Sequence, residues 1–124
     1  MPTVPKPFRN NSFETSRTLP MGAGEARRAF EAAVRGLPRW RQGRSSEGTV
    51  TAVRRTRLGF EDDVSVRLTE GKTGAHTNTH AALRSASRKG VYDFGQNRRN
   101  LKELLDAVDR ELRRPLQDRG EQAP

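Results

Sequence analysis

The chain has 124 residues and a mass of 13.9 kDa, with 24 Lys and Arg against 15 Asp and Glu, two His and no Cys, for a formal charge of +9. The length suits one domain, and the absence of Cys excludes a disulfide scaffold, a Cys-based zinc site and a thiol nucleophile. Hydrophobic residues make up 31% and mean hydropathy is −0.93, which allows only a small core and no run near the roughly 18 apolar residues of a membrane span.

Residues 1–13 hold three prolines and little apolar character, which predicts a flexible N-terminal arm. They contain no apolar stretch resembling a signal peptide, so a soluble cytoplasmic protein is expected. Residues 14–21 read as a short edge strand. Ala26, Phe30, Ala33, Val34 and Leu37 then recur at helical spacing, which predicts a helix over 23–35 stopped by Gly36 and Pro38.

From residue 40 to 88 the period changes to two, and glycines punctuate a meander of short strands. Val50, Ala52, Arg54, Thr56 and Leu58 share one strand face. Phe60, Asp62, Val64, Val66 and Leu68 share a face of the next strand. A turn over 70–74 leads to a last strand with Thr77, Thr79, Ala81, Leu83, Ser85 and Ser87 on one side. His76, Asn78, His80, Ala82, Arg84, Ala86 and Arg88 take the other. Burial favours pairing Leu68 with Thr77, which gathers the apolar residues on one face. That register sets Glu61 opposite Arg84, with Asp63 nearby, and predicts that Arg84 is a cross-strand partner of one of these carboxylates.

Asp93 precedes Gln96 by three residues, close to a capping box, and is expected to cap the last helix. Leu101, Leu104, Leu105, Val108 and Leu112 form its apolar stripe, and Pro115 ends it. The predicted fold is α+β: a single antiparallel sheet of four to five strands with two helices packed on one face, the C-terminal helix long. The expected organisation is an arm over 1–13, one domain over 14–114 and a polar tail over 115–124.

Residues 21–60 carry nine basic residues against three acidic ones. Arg39, Arg41, Arg44, Arg54, Arg55 and Arg57 form a basic stripe suited to nucleic acid, anionic lipid or an acidic protein partner. Only Trp40 interleaves it, fewer stacking aromatics than single-strand binders offer, so nucleic acid is the less expected partner. Asp93-Phe94-Gly95 spells the kinase magnesium triplet without the other kinase motifs. His76 and His80, about 13 Å apart on a strand, have no third ligand on their face. No catalytic residue, metal site or cofactor is expected.

A polar set interrupts faces that ought to be apolar. Asp62 lies among Phe60, Val64 and Val66. Ser85 and Ser87 continue the face of Ala81 and Leu83. Asn97 falls four residues before Leu101 on the buried helical stripe. Buried polar groups must find hydrogen bonds. One reading is a structural network; the other is a small pocket for an anion, with Arg84 or Arg88 nearby. The candidate cluster is therefore Asp62, Asp63, Arg84, Ser85, Ser87, Arg88, Asp93 and Asn97.

The segments 60–67, 83–88 and 93–97, with Asp62-Asp63-Val64, Arg84-Ser85-Ala86-Ser87-Arg88 and Asp93-Phe94-Gly95-Gln96-Asn97, resemble the domain-of-unknown-function 1499 family over residues 14–113. Two departures stand out: Asn100 occupies the place of the family's usual Arg, and residues 8–12 replace a Cys-containing motif of many members. The resemblance implies the domain boundaries and the polar cluster, and no activity. A long C-terminal helix over a curved sheet also resembles helix-grip ligand-binding folds, by analogy only. The expected function is a non-enzymatic binding or interaction domain whose polar cluster is mainly structural. The alternatives are a small anionic ligand near Arg84, Ser85, Ser87, Arg88 and Asn97, or weak sequence-independent nucleic-acid binding through the stripe.

Overall fold

A computed structural model describes residues 11–88 and 95–114. The elements follow as β1 Ser12–Leu19, α1 Ala23–Gly36, β2 Trp40–Gln42, β3 Thr49–Arg55, β4 Glu61–Thr73, β5 His76–Ser87 and α2 Gln96–Arg113. The strands form one antiparallel sheet in the order β1-β5-β4-β3-β2. Its five strands and two helices match the architecture expected from the alternation of period. The expected arm begins outside the described residues, but Ser12 and Phe13 already belong to β1, two residues before the expected boundary. Residues 115–124, the expected tail, also lie outside the described residues.

Alternation along β4 and β5 decides what the helices cover. Val64, Val66 and Leu68 of β4 and Ala81 and Leu83 of β5 point inward with Val50 and Ala52 of β3. Phe30 and Val34 of α1, with Leu101, Leu104, Leu105 and Val108 of α2, close over them. Fully burying each of these large side chains contributes about 1.5–3 kcal/mol.

The entrance to α1 is held by a tertiary contact. Gly22 offers no side chain as N-cap, and Glu70 of β4 accepts the Ala23 N–H at 2.8 Å. Its carboxylate sits where the positive end of the helix dipole favours negative charge. Thr79 adds a second tie by donating its hydroxyl to the Met21 carbonyl at 2.8 Å.

Four expectations need correction. First, Leu68 pairs with Ala81 and not Thr77, a shift of four residues. The β4–β5 turn is the two-residue Gly74 and Ala75, and β4 runs on through Lys72 and Thr73. Gly74 has φ 62, as the first central residue of a type II′ turn requires, and this turn matches the twist of the strands. Because the shift is even, every side chain keeps its predicted face.

Second, β3 ends at Arg55, so Leu58 and Phe60 leave the inward face for the connecting turn, where they are 82% and 39% exposed. Gly59, at φ 87, lets that turn close. Third, Arg84 reaches neither Glu61 nor Asp63. In the true register it stands opposite Ser65 and Glu14, and it pairs with Glu14 at 3.4 Å. Fourth, α2 takes Gly95 as its N-cap, at φ 83, and starts at Gln96; Asp93 lies outside the described residues. A left-handed φ is open to glycine at little cost, which moves the helix start two residues along. Among the described residues no helix is long and apolar enough to cross a membrane.

Candidate functional site

The inward faces of β4 and β5 turn polar toward the N-terminal end of α2. Asp62, Ser85, Asn97 and Asn100 are almost wholly buried there. Ser85 donates its hydroxyl to Asn97 Oδ1 at 2.7 Å. Asn97 Nδ2 donates to the Asn11 carbonyl at 2.8 Å and to Ser87 Oγ at 3.0 Å. Asn100 Nδ2 donates to Asp62 Oδ2 at 2.8 Å and to Ser85 Oγ at 3.1 Å. Gln96 closes the chain by donating to Asn100 Oδ1 at 2.7 Å. These bonds join Asn11, just ahead of β1, with β4, β5 and α2 in one largely buried network. Each of these side chains has a hydrogen-bond partner, and a connected network of this kind rigidifies the packing around it. It also leaves Ser85, Asn97 and Asn100 no exposed surface with which to meet a ligand.

The predicted cluster therefore divides by strand parity. Asp62, Ser85, Ser87 and Asn97 come together beneath α2, whereas Asp63, Arg84 and Arg88 point to the opposite face of the sheet. Arg88 holds Asp63 at 2.9 Å and Glu61 at 2.5 Å, and Arg41 reaches Glu61 at 3.1 Å. The Arg41 hydrogen bond, helped by the charges of Arg41, Arg88 and Arg55, holds the Glu61 carboxyl below its usual range. The hydrogen bond and charge of Asp63 push the Arg88 guanidinium up. An anion cannot touch Arg84 or Arg88 and Ser85 or Asn97 together, because the sheet stands between them.

The basic stripe divides in the same way. Arg41 and Arg55 turn to the outer face beside Glu61, and Arg44 lines a shallow outer depression with Asp63, Arg84 and Arg88. Arg39, Arg54 and Arg57 instead line a groove of about 630 Å³ between α2 and the β2–β3 end of the sheet. α2 adds Arg99, Lys102 and Arg110, together with the carboxylates Glu103 and Asp106.

Glu103 is occupied: its Oε1 accepts Trp40 Nε1–H at 2.7 Å and Arg54 Nε–H at 3.1 Å. Lys102 holds Asp106 at 2.9 Å, and that hydrogen bond keeps the Asp106 carboxyl below its usual range. Arg39, Arg57 and Arg110 make no ion pair with a described residue. Arg39 is also the only non-glycine residue at positive φ among those described, at 70°. Such strained residues gather at functional sites. Its carbonyl is fixed by the Arg55 N–H at 2.8 Å.

The sequence reading missed Gln96, Asn100 and the whole contribution of α2 to the groove. Asn100 follows Asn97 at helical spacing, so its burial was readable. Arg99, Lys102, Glu103, Asp106 and Arg110 also recur at three or four residues along one flank of the helix. Nothing in their spacing says that β2 and β3 lie beside that flank. Among the described residues no three His, Asp or Glu side chains converge as a metal site.

Fold and site together define a small basic α+β domain with a buried polar latch and a cationic groove. The chain belongs to the family described as "Protein of unknown function (DUF1499)", whose model matches residues 5–108. No curated protein matches it. Among solved structures, the "Crystal structure of Ara h 8.0201" is similar over 78% of this chain and 93% of that chain, at 10% identity and a TM-score of 0.35. A likeness at that level carries no functional argument.

Proposed function

We propose that this domain is a non-enzymatic binding module in which the polar cluster is structural and the groove between α2 and the β2–β3 end takes an anionic ligand. The observation that supports the reading is the groove itself, where six cationic side chains face two carboxylates that already have partners. Guanidinium groups offer paired donors that match phosphate and carboxylate oxygens. A catalytic role for the cluster is disfavoured because a reacting group must touch its substrate, and Ser85, Asn97 and Asn100 are 0% exposed. The division of the basic stripe between two faces also removes the continuous track that nucleic-acid binding along it would use.

The test is calorimetric titration of the full chain with inorganic pyrophosphate at low and physiological salt. Binding that weakens with salt and disappears in an Arg39→Ser, Arg57→Ser, Arg110→Ser variant is the expected result. Binding unchanged by that variant, or no binding at low salt, would refute the groove.

A further inference from the structure

We infer that the end of the domain carrying the β3–β4 turn docks on an anionic lipid bilayer, a reading that rests on the anion-binding groove and assigns it the phosphate of a lipid headgroup. Among the described residues the large hydrophobic side chains left exposed are Phe13, Leu58 and Phe60, and all three lie toward this end. Arg55 pairs with Glu61, and the Thr56 N–H bonds the Phe60 carbonyl at 2.8 Å, so residues 57–59 project past the last rung of the ladder. Leu58 stands on that projection, 82% exposed, and belongs to no core cluster of the described residues. Phe13 is paired with Ser85 near the same end of the sheet, and the Arg98 guanidinium lies 5.9 Å from its ring centroid.

Cations rim the apolar tip. Arg57 is next to Leu58 in the turn and lines the groove with Arg39 and Arg99. The carboxylate nearest to Leu58 along the sequence, Glu61, is held by Arg41 and Arg88, so it does not oppose an approaching anionic surface. Interfacial binding grows with the apolar area buried and with attraction to anionic lipid. Both contributions are present on one projection.

Shape selects the bilayer over a protein partner. A stable protein interface buries about 800 Å² on each side and needs a matching surface. A single convex turn offers far less, whereas a fluid bilayer closes around it. Arginines beside the tip then reach the headgroup phosphates while Leu58 enters the acyl boundary.

The full chain is tested by co-sedimentation with phosphatidylcholine vesicles, with and without phosphatidylglycerol, at physiological salt. The expected result is binding only to the phosphatidylglycerol vesicles. Pyrophosphate binding should stay intact in Leu58→Ala, which places no charge beside Arg57, and Leu58→Glu should weaken vesicle binding about tenfold or more. Leu58→Ala, with no added charge, should weaken it less, and equal melting temperatures for both variants show that the fold is kept.

Vesicle binding indifferent to Leu58, or none while pyrophosphate still binds, overturns the bilayer inference and leaves the groove standing. Loss of both ligands from the wild type overturns both readings. Tighter binding to a single-stranded oligonucleotide than to vesicles, weakened by Leu58→Glu, would assign the tip to nucleic acid and overturn the bilayer.

Discussion

Ser85 donates its hydroxyl to Asn97 Oδ1 at 2.7 Å across the seam between β5 and α2, and both side chains are fully buried. The same hydroxyl oxygen accepts from Asn100 Nδ2 at 3.1 Å, so one atom serves two residues one helical turn apart. This arrangement sets both the rotation and the axial position of α2 on the sheet, which apolar stripes alone specify loosely.

Ser85→Ala therefore removes an acceptor and a donor from the interior at once, taking one hydrogen bond from Asn97 Oδ1 and one from Asn100 Nδ2. The expected loss is about 1–3 kcal/mol. It should appear as a lower urea midpoint with an unchanged slope. A change within error would mean that water enters the seam and replaces the hydroxyl.

Two glycines should respond in opposite directions to alanine. Gly95 holds φ 83 at the start of α2, where any Cβ is strained. A Cβ there would also come within 3.3 Å of the Arg99 guanidinium. Gly95→Ala should cost about 1–2 kcal/mol. Gly36 ends α1 without positive φ, and a Cβ there meets nothing within 4 Å. Gly36→Ala should raise stability by about 0.4–1 kcal/mol, largely by restricting the unfolded chain. Thermal melts of the two variants check the signs.

The faces of β4 and β5 were legible because side chains alternate with a period that admits only two answers. Asp62, Ser85 and Asn97 could therefore be assigned inward and Arg84 outward from their spacing alone. The register was not legible, since glycine occurs both at 71 and at 74, and either supports a turn. An even slip leaves every face unchanged, so burial could not arbitrate between Leu68 with Thr77 and Leu68 with Ala81. The groove was illegible for another reason. Arg39 and Arg57 come from one stretch of chain and Arg99 and Arg110 from another, and only the docking of α2 brings them together.

Glu61 carries the pH dependence of the outer face. Its folded carboxyl titrates below the usual range because Arg41, and then Arg88 and Arg55, favour its charged form. A depressed acid contributes stability that is present above its unfolded value, about 4.3, and is lost as pH falls through the lower folded value. The melting temperature of the wild type should therefore fall more steeply than that of Glu61→Gln over that acid window, and the two curves should converge at its lower end. Parallel curves would show that the Arg41 and Arg88 contacts contribute nothing in solution. Added salt should shrink the difference, since the pair is exposed.

Glu103 ties the groove to the fold. Its Oε1 accepts both Trp40 Nε1–H and Arg54 Nε–H, and the three-residue edge strand β2 has few other attachments to α2. The Arg54 side chain is only 14% exposed, so its charge has little water to replace a lost partner. Glu103→Ala should cost about 1–2 kcal/mol, with red-shifted Trp40 emission as water reaches the indole. Glu103→Gln keeps a carbonyl oxygen for the Trp40 N–H and loses only the charge opposite Arg54, so it should lie between the wild type and the Ala variant. Removing that charge also makes the groove more positive, and Glu103→Gln should bind pyrophosphate more tightly than the wild type at low salt. Equal stability losses for Gln and Ala would show that the ion pair, and not the indole hydrogen bond, is the tie. Weaker pyrophosphate binding by the Gln variant would show that Glu103 acts by positioning Arg54 toward the anion, with its charge a secondary influence.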